Sequence, residues 1–139
     1  MRVVSLLLLG FLAASWAEEA SPSRVKNNES PKPLREFFGE AAAEVEKGPT
    51  PGVIMDGVEY EKTWRELGLI QEPGVVDFAK EVVVVSTTRG SRITFRLREE
   101  GEGRLQVMSI STKDIRPGLR FAFCVLPRSG WNQINDSKL

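Results

Sequence analysis

Residues 82–85 are four consecutive valines. A β-branched run is stiff at χ1 and packs well on a pleated surface. This one is apolar on both faces, so it belongs at the centre of a sheet rather than at an edge. The chain around it is punctuated for short strands. Val53-Ile54-Met55 ends at the turn pair Asp56-Gly57. After a turn at 87–90, Ile93, Phe95 and Leu97 alternate with Arg92, Thr94, Arg96 and Arg98, which marks a half-exposed strand. Residues 99–103 form a Gly-containing hairpin loop, 105–111 a further strand, and Arg116-Pro117-Gly118 a turn. Leu119, Phe121, Phe123 and Val125 then alternate with Arg120, Ala122 and Cys124 as far as Pro127, and residues 131–134 predict a last short edge strand. Between the first strand and the valines, 59–67 reads as a short helix burying Tyr60, Trp64 and Leu67 and capped by Gly68. Five or six short strands at this spacing predict a mainly β fold, a small antiparallel β-sandwich or barrel-like domain with one short helix.

The first 51 residues read differently. Arg2 gives a short positive head, residues 6–9 with Phe11 and Leu12 an apolar stretch, and Ser15 and Ala17 the small residues a signal peptidase needs before Glu18. The apolar stretch is shorter than the roughly 20 residues that span a bilayer. The prediction is a signal peptide over 1–17, a secreted or periplasmic product, and no stable membrane anchor after cleavage. Residues 18–33 read as a polar tether. Over 34–47, Leu34, Phe37, Phe38, Ala41, Ala42 and Val45 recur at three- and four-residue steps, with Pro33 ahead and Gly48-Pro49 behind. That spacing predicts an amphipathic helix with an acidic face of Glu36, Glu40, Glu44 and Glu46. The expected division is a signal peptide at 1–17, a tether carrying this helix at 18–51, and a β-rich domain at 52–139.

Histidine is absent from all 139 residues. This removes the Ser-His-Asp triad, the Cys-His pair and every histidine-ligated metal site. The single cysteine, Cys124, cannot form an intrachain disulfide, and its apolar setting reads as a buried core thiol. Ser23-Arg24-Val25-Lys26 matches an S-x-x-K pattern, but it lies in the tether with no partner motif. Glu99, Glu100 and Glu102 sit on a Gly-containing loop that cannot hold two carboxylates at the fixed separation glycoside hydrolysis requires. Asp77, Glu81 and Asp114 lack calcium-loop spacing. The sequence therefore predicts a non-enzyme with no catalytic, cofactor-binding or metal-ligating residue and no cofactor. A carboxylate-based hydrolase and a structural envelope protein without a specific partner stand as alternatives. Charge is uneven: residues 18–87 hold 8 Lys or Arg against 14 Asp or Glu, and residues 88–139 hold 10 against 5. Arg92, Arg96 and Arg98 share one strand face, with Arg120 and Arg104 expected on neighbouring strands. A row of guanidiniums grips carboxylates bidentately, so these arginines are the candidate partner-binding residues. The acidic face of the 34–47 segment is a candidate internal competitor for them. Export and a modest charge imbalance argue against nucleic acid as the partner.

Trp64 is followed by Val76-Asp77-Phe78-Ala79-Lys80-Glu81 running into the valines, and a later aromatic-rich strand from Phe121 ends in Pro127-Arg128. In these features the span from Trp64 onward, half of the chain, resembles the PrcB family of exported protease-complex accessory subunits. There a tryptophan precedes a V-D-F-S-K/E step into a central strand. That family often has a Gly-Gly-aromatic step after the strand; here Arg89-Gly90-Ser91-Arg92-Ile93 keeps one glycine. The resemblance implies an exported β-rich domain that assists or binds a protease and carries no catalytic residue. The expected function is an exported binding or accessory module whose partner is a protein, an exported protease in particular.

Overall fold

The computed structural model describes residues 30–139, so the expected signal peptide and most of the expected tether lie outside the described residues. Nine elements follow in order: β1 (Arg35–Glu40), β2 (Gly52–Ile54), α1 (Gly57–Glu66), β3 (Glu81–Thr88), β4 (Ile93–Gly101), β5 (Arg104–Ser111), β6 (Arg120–Pro127), β7 (Gln133–Ile134) and β8 (Ser137–Lys138). They form two four-stranded sheets ordered β1-β6-β3-β2 and β4-β5-β7-β8. The first sheet is antiparallel throughout, and the second is antiparallel except for the parallel β5–β7 pair. The mainly β class and the short helix are as the sequence predicts, in the open sandwich form rather than a closed barrel.

The valines lie where a run apolar on both faces must lie. β3 is central, flanked by β6 and β2, with Val83 opposite Val125 and Val85 opposite Phe123. Alternation sends Val83, Val85, Phe121, Phe123 and Val125 to one side, where α1 covers them with Tyr60, Trp64 and Leu67. It sends Val82, Val84, Ala122, Cys124 and Leu126 to the other, against Ile93, Phe95, Leu105, Val107 and Ile134 of the second sheet. The result is three layers: helix, helix-covered sheet and open sheet. Cys124 is fully buried between the sheets, as expected. Ser86 and Ser109 join the two sheets by a hydroxyl hydrogen bond of 2.8 Å. α1 begins at Asp56, whose carboxylate accepts the Glu59 N–H at 2.9 Å, and it carries Glu59 in its first turn and Arg65 in its last. Both placements suit the helix dipole. Trp64 stacks on Phe123 at 5.8 Å and donates its ring N–H to the Gln71 carbonyl at 2.7 Å. A buried indole thus satisfies its one polar atom.

Three expectations are corrected. Residues 34–47 contain no helix: Arg35–Glu40 is a strand, paired antiparallel with β6 so that Phe37 faces Phe123 and Phe38 faces Ala122. Phe37, Ala41 and Val45 still pack against the core, but Phe38 and Leu34 stand 57% and 54% exposed. Gly39 belongs to the strand because the Phe121 ring lies over it; a Cβ there would stand 2.6 Å from that ring. The boundary expected at 51/52 falls with the helix, since β1 is an integral edge of the helix-covered sheet. Finally, residues 133–134 do not form the outer edge strand. β8 pairs outside them.

Candidate functional site

The step that enters β3 is a structural lock. The Asp77 carboxylate accepts the Ala79 N–H at 3.1 Å, and the Asp77 carbonyl accepts the N–H groups of Lys80 and Glu81. Glu81 grips Arg35 of β1 through both oxygens, at 2.7 and 2.8 Å, and accepts the Asp77 N–H at 3.1 Å. The hydrogen bonds from Arg35 hold the Glu81 carboxyl below its ordinary pKa against the opposing effect of burial. Arg128, just past β6, donates to the Phe78 carbonyl at 2.7 Å. The Asp77-to-Glu81 step and Arg128 thus tie together β1, β3 and the end of β6.

A second lock follows β3. Asp114 interacts with Thr112 and accepts the Ser91 N–H at 3.0 Å, the Ser91 hydroxyl at 3.1 Å and Arg116 Nε at 3.0 Å. The hydrogen bond with Thr112, then those from Ser91 and Arg116, hold its carboxyl well below the usual range. Gly90 lies so close to Thr112 that a Cβ would stand 2.3 Å from the Thr112 carbonyl oxygen, so the position after the central strand needs a glycine.

The arginines divide. Arg96 and Arg98 are exposed on the outer face of the open sheet, where β4 and β5 set Arg96 opposite Met108, Arg98 opposite Gln106, and Thr94 opposite Ile110. Met108 and Ile110 are 41% and 54% exposed. Neither guanidinium has a hydrogen bond or ion pair to any described residue. Arg92 stands at the head of the same strand; its backbone carbonyl accepts the Thr112 N–H at 3.1 Å, while its guanidinium likewise has no partner among the described residues. Arg120 is not beside them. It belongs to β6 in the other sheet, pairs with Glu40 at 3.1 Å, and donates to the carbonyls of Gly90 and Pro117 at 3.4 Å each. The internal competition expected from the acidic segment therefore exists for Arg120 alone, and a strand residue supplies it. Arg104 sits at the β4–β5 hairpin, 3.9 Å from Glu102. Arg92 and Arg120 meet only at a cleft of about 360 Å³, walled by Phe38, Glu40, Ile93 and Phe121, where the edge of β1 passes the head of β4.

Of the acidic candidates, Glu99, Glu100 and Glu102 are all exposed at the hairpin. Asp77 and Glu81 touch each other, whereas Asp114 lies with Ser91. Among the described residues no group of three or more His, Cys, Asp or Glu is placed to hold a metal ion. Met108, Ile110 and Phe38 are the surface features missed in the sequence. Alternation along 105–111 already put Met108 and Ile110 on the face opposite Leu105 and Val107, so that pair was open to inference. No family model matches the chain, and neither a curated protein nor a solved structure matches it.

Proposed function

We propose that the chain is an exported, non-catalytic binding module that takes a protein partner on the outer face of the open sheet, centred on Arg96, Arg98, Met108 and Ile110. One observation carries the reading: two unpaired guanidiniums stand beside two exposed aliphatic side chains on a face that no described element covers. Burying Met108 and Ile110 supplies the apolar part of an interface, and arginine is among the residues that dominate binding energy there. The lack of histidine supports a non-catalytic role, since it removes the histidine-based hydrolytic designs. The resemblance to protease accessory subunits makes an exported protease the first partner to test.

A photo-crosslinking side chain at position 108, with one at the fully exposed Ile70 as control, tests this in the native envelope. One specific protein should be captured from position 108 and not from position 70, and Arg96→Glu should abolish that capture. An exported protease as the captured protein supports the narrower reading. Equal capture by wild type and Arg96→Glu removes the arginine face.

A further inference from the structure

We infer that the open edge of β4 takes an extended acidic segment of the protein partner as an added strand of the open sheet. This deepens the reading above and rests on it. Three independent features meet at this edge. The first is backbone. β4 pairs only with β5 among the described strands. The Arg92 carbonyl accepts the Thr112 N–H, so Arg92 and Thr112 form a hydrogen-bonded pair. Antiparallel alternation then turns the N–H and C=O groups of Ile93, Phe95 and Leu97 away from β5, toward the open side. Such a row is a template for strand addition.

The second feature is the overhang of the other sheet. β6 lies over β4, and β3 over β4 and β5, so β1, the next strand out, projects past the β4 edge. Glu36 and Phe38 of β1 share the side of Cys124 and Ala122, which face the open sheet. Yet Phe38 and, by the same alternation, Leu34 are more than half exposed. An added strand would lie beneath them. Its inward side chains would cover Phe38 and reach the cleft beside Ile93.

The third feature is charge, and it selects the occupant. The outward side chains of an added strand would stand about 5 Å from those of β4, against Arg92, Arg96 and Arg98. Carboxylates at alternate positions answer three unpaired guanidiniums with bidentate geometry. A second copy paired through its own β4 would set arginine rows of like charge side by side on one face, which is destabilising. The partner segment is therefore acidic on its outward face and apolar on its inward face.

The test uses the chain from residue 18 and the capped peptide (Glu-Val)4, with amide hydrogen exchange followed by NMR. Exchange at Ile93, Phe95 and Leu97 should slow at least about tenfold as peptide saturates. (Lys-Val)4 should not bind. Of two peptides N-methylated on every glutamate or on every valine, one should bind and the other not, because only one set of amides can face β4. Phe38→Asp, at an exposed position, should weaken binding about tenfold. If (Glu-Val)4 binding is lost in Arg96→Glu but the three amides never slow, the segment lies on the face alone; this inference falls and the proposed function stands. Absence of binding by every peptide while position 108 still captures its protein also overturns it. Edge amides already protected in a dimer assign the edge to a second copy. Protection in the monomer that vanishes on deleting residues 18–29 assigns it to the chain's own segment. Either result overturns the proposal.

Discussion

Tyr60 packs its ring against Phe78, Phe123 and Trp64 at 5.6, 5.7 and 6.2 Å, yet its hydroxyl has no hydrogen-bond partner among the described residues. Burial pushes its phenol above the ordinary value, opposed by the nearby Arg35 charge. An unsatisfied buried hydroxyl costs about 1–3 kcal/mol of desolvation. Tyr60→Phe keeps the ring contacts and removes that cost, so chemical denaturation should show stability unchanged or raised by about 1 kcal/mol; a loss above 1 kcal/mol would reveal a partner for the hydroxyl. Cys124 poses the same question with a sharper sign. Burial, and then the charge of Glu36, pushes its thiol up to about 12, against about 8.5 for a free thiol. Between those values the unfolded chain gives up a proton that the folded chain keeps. Stability should therefore be level below pH 8 and fall above pH 9, by at most about 1.4 kcal/mol per pH unit from this group. Cys124→Ala should flatten the decline, although Tyr60 adds to it in the same direction above pH 10. A thiol reagent at pH 8 should label Cys124 only at the rate at which the chain unfolds.

At the scale of elements, β1 shows what local sequence can and cannot say. The 34–47 segment reads as a helix because Phe37, Phe38, Ala41, Ala42 and Val45 satisfy a 3.6 period and Ala and Glu favour helices. Two tertiary facts override this. β6 needs a neighbour on its open side, and Gly39, costly inside a helix, fits under the Phe121 ring. Neither can be read within the segment, since Phe121 lies far along the chain. By contrast, β3 was legible as a short run apolar on both faces, α1, β4 and β6 from their periods, and β5 from the loop and turn that bound it. The arginine face was legible from alternation along β4, but the company of Arg120 was not. Alternation reports which face of a strand a residue occupies and not which sheet the strand joins. A chain of residues 52–139 lacks β1, which leaves the β6 edge unpaired, removes the Arg35 partner of Glu81, and uncovers Phe123 at Phe37. It should show no cooperative melt, or one far below that of residues 30–139. Equal melting temperatures would restore the tether as a separate unit.

At the scale of the described molecule, Arg35 and the pair Arg96 and Arg98 differ in their surroundings, and under the proposed function the first serves stability and the second binding. Arg35 is about one-third exposed and grips a carboxylate whose side chain is 16% exposed, across two strands that are distant in sequence. Arg96 and Arg98 are exposed and bond to no described residue. Exposed pairs contribute about 0–1 kcal/mol, whereas breaking a fully buried pair costs about 3–5 kcal/mol. With solvent screening at Arg35, its loss should cost about 1–2 kcal/mol, between those limits. The sign of its pH dependence follows from Glu81. A carboxyl held low in the fold stabilises at pH values above its unfolded pKa, and that contribution is lost as pH falls through the lower folded value. Arg35→Ala should thus lower stability at pH 7 and make little further difference once the medium is acid enough to protonate Glu81 in the wild type. Arg96→Glu with Arg98→Glu should behave in the opposite way. Two exposed reversals should leave the melting curve at pH 7 nearly unchanged, while capture from position 108 disappears. Capture by the wild type should also weaken steeply as salt is raised from 0.05 to about 0.5 M, since screening shortens the reach of exposed charges to a few ångströms. Parallel melting and crosslinking on these variants decide the matter: if Arg96→Glu/Arg98→Glu lowers the melt as far as Arg35→Ala does, the face is part of the fold's support and the separation of roles fails.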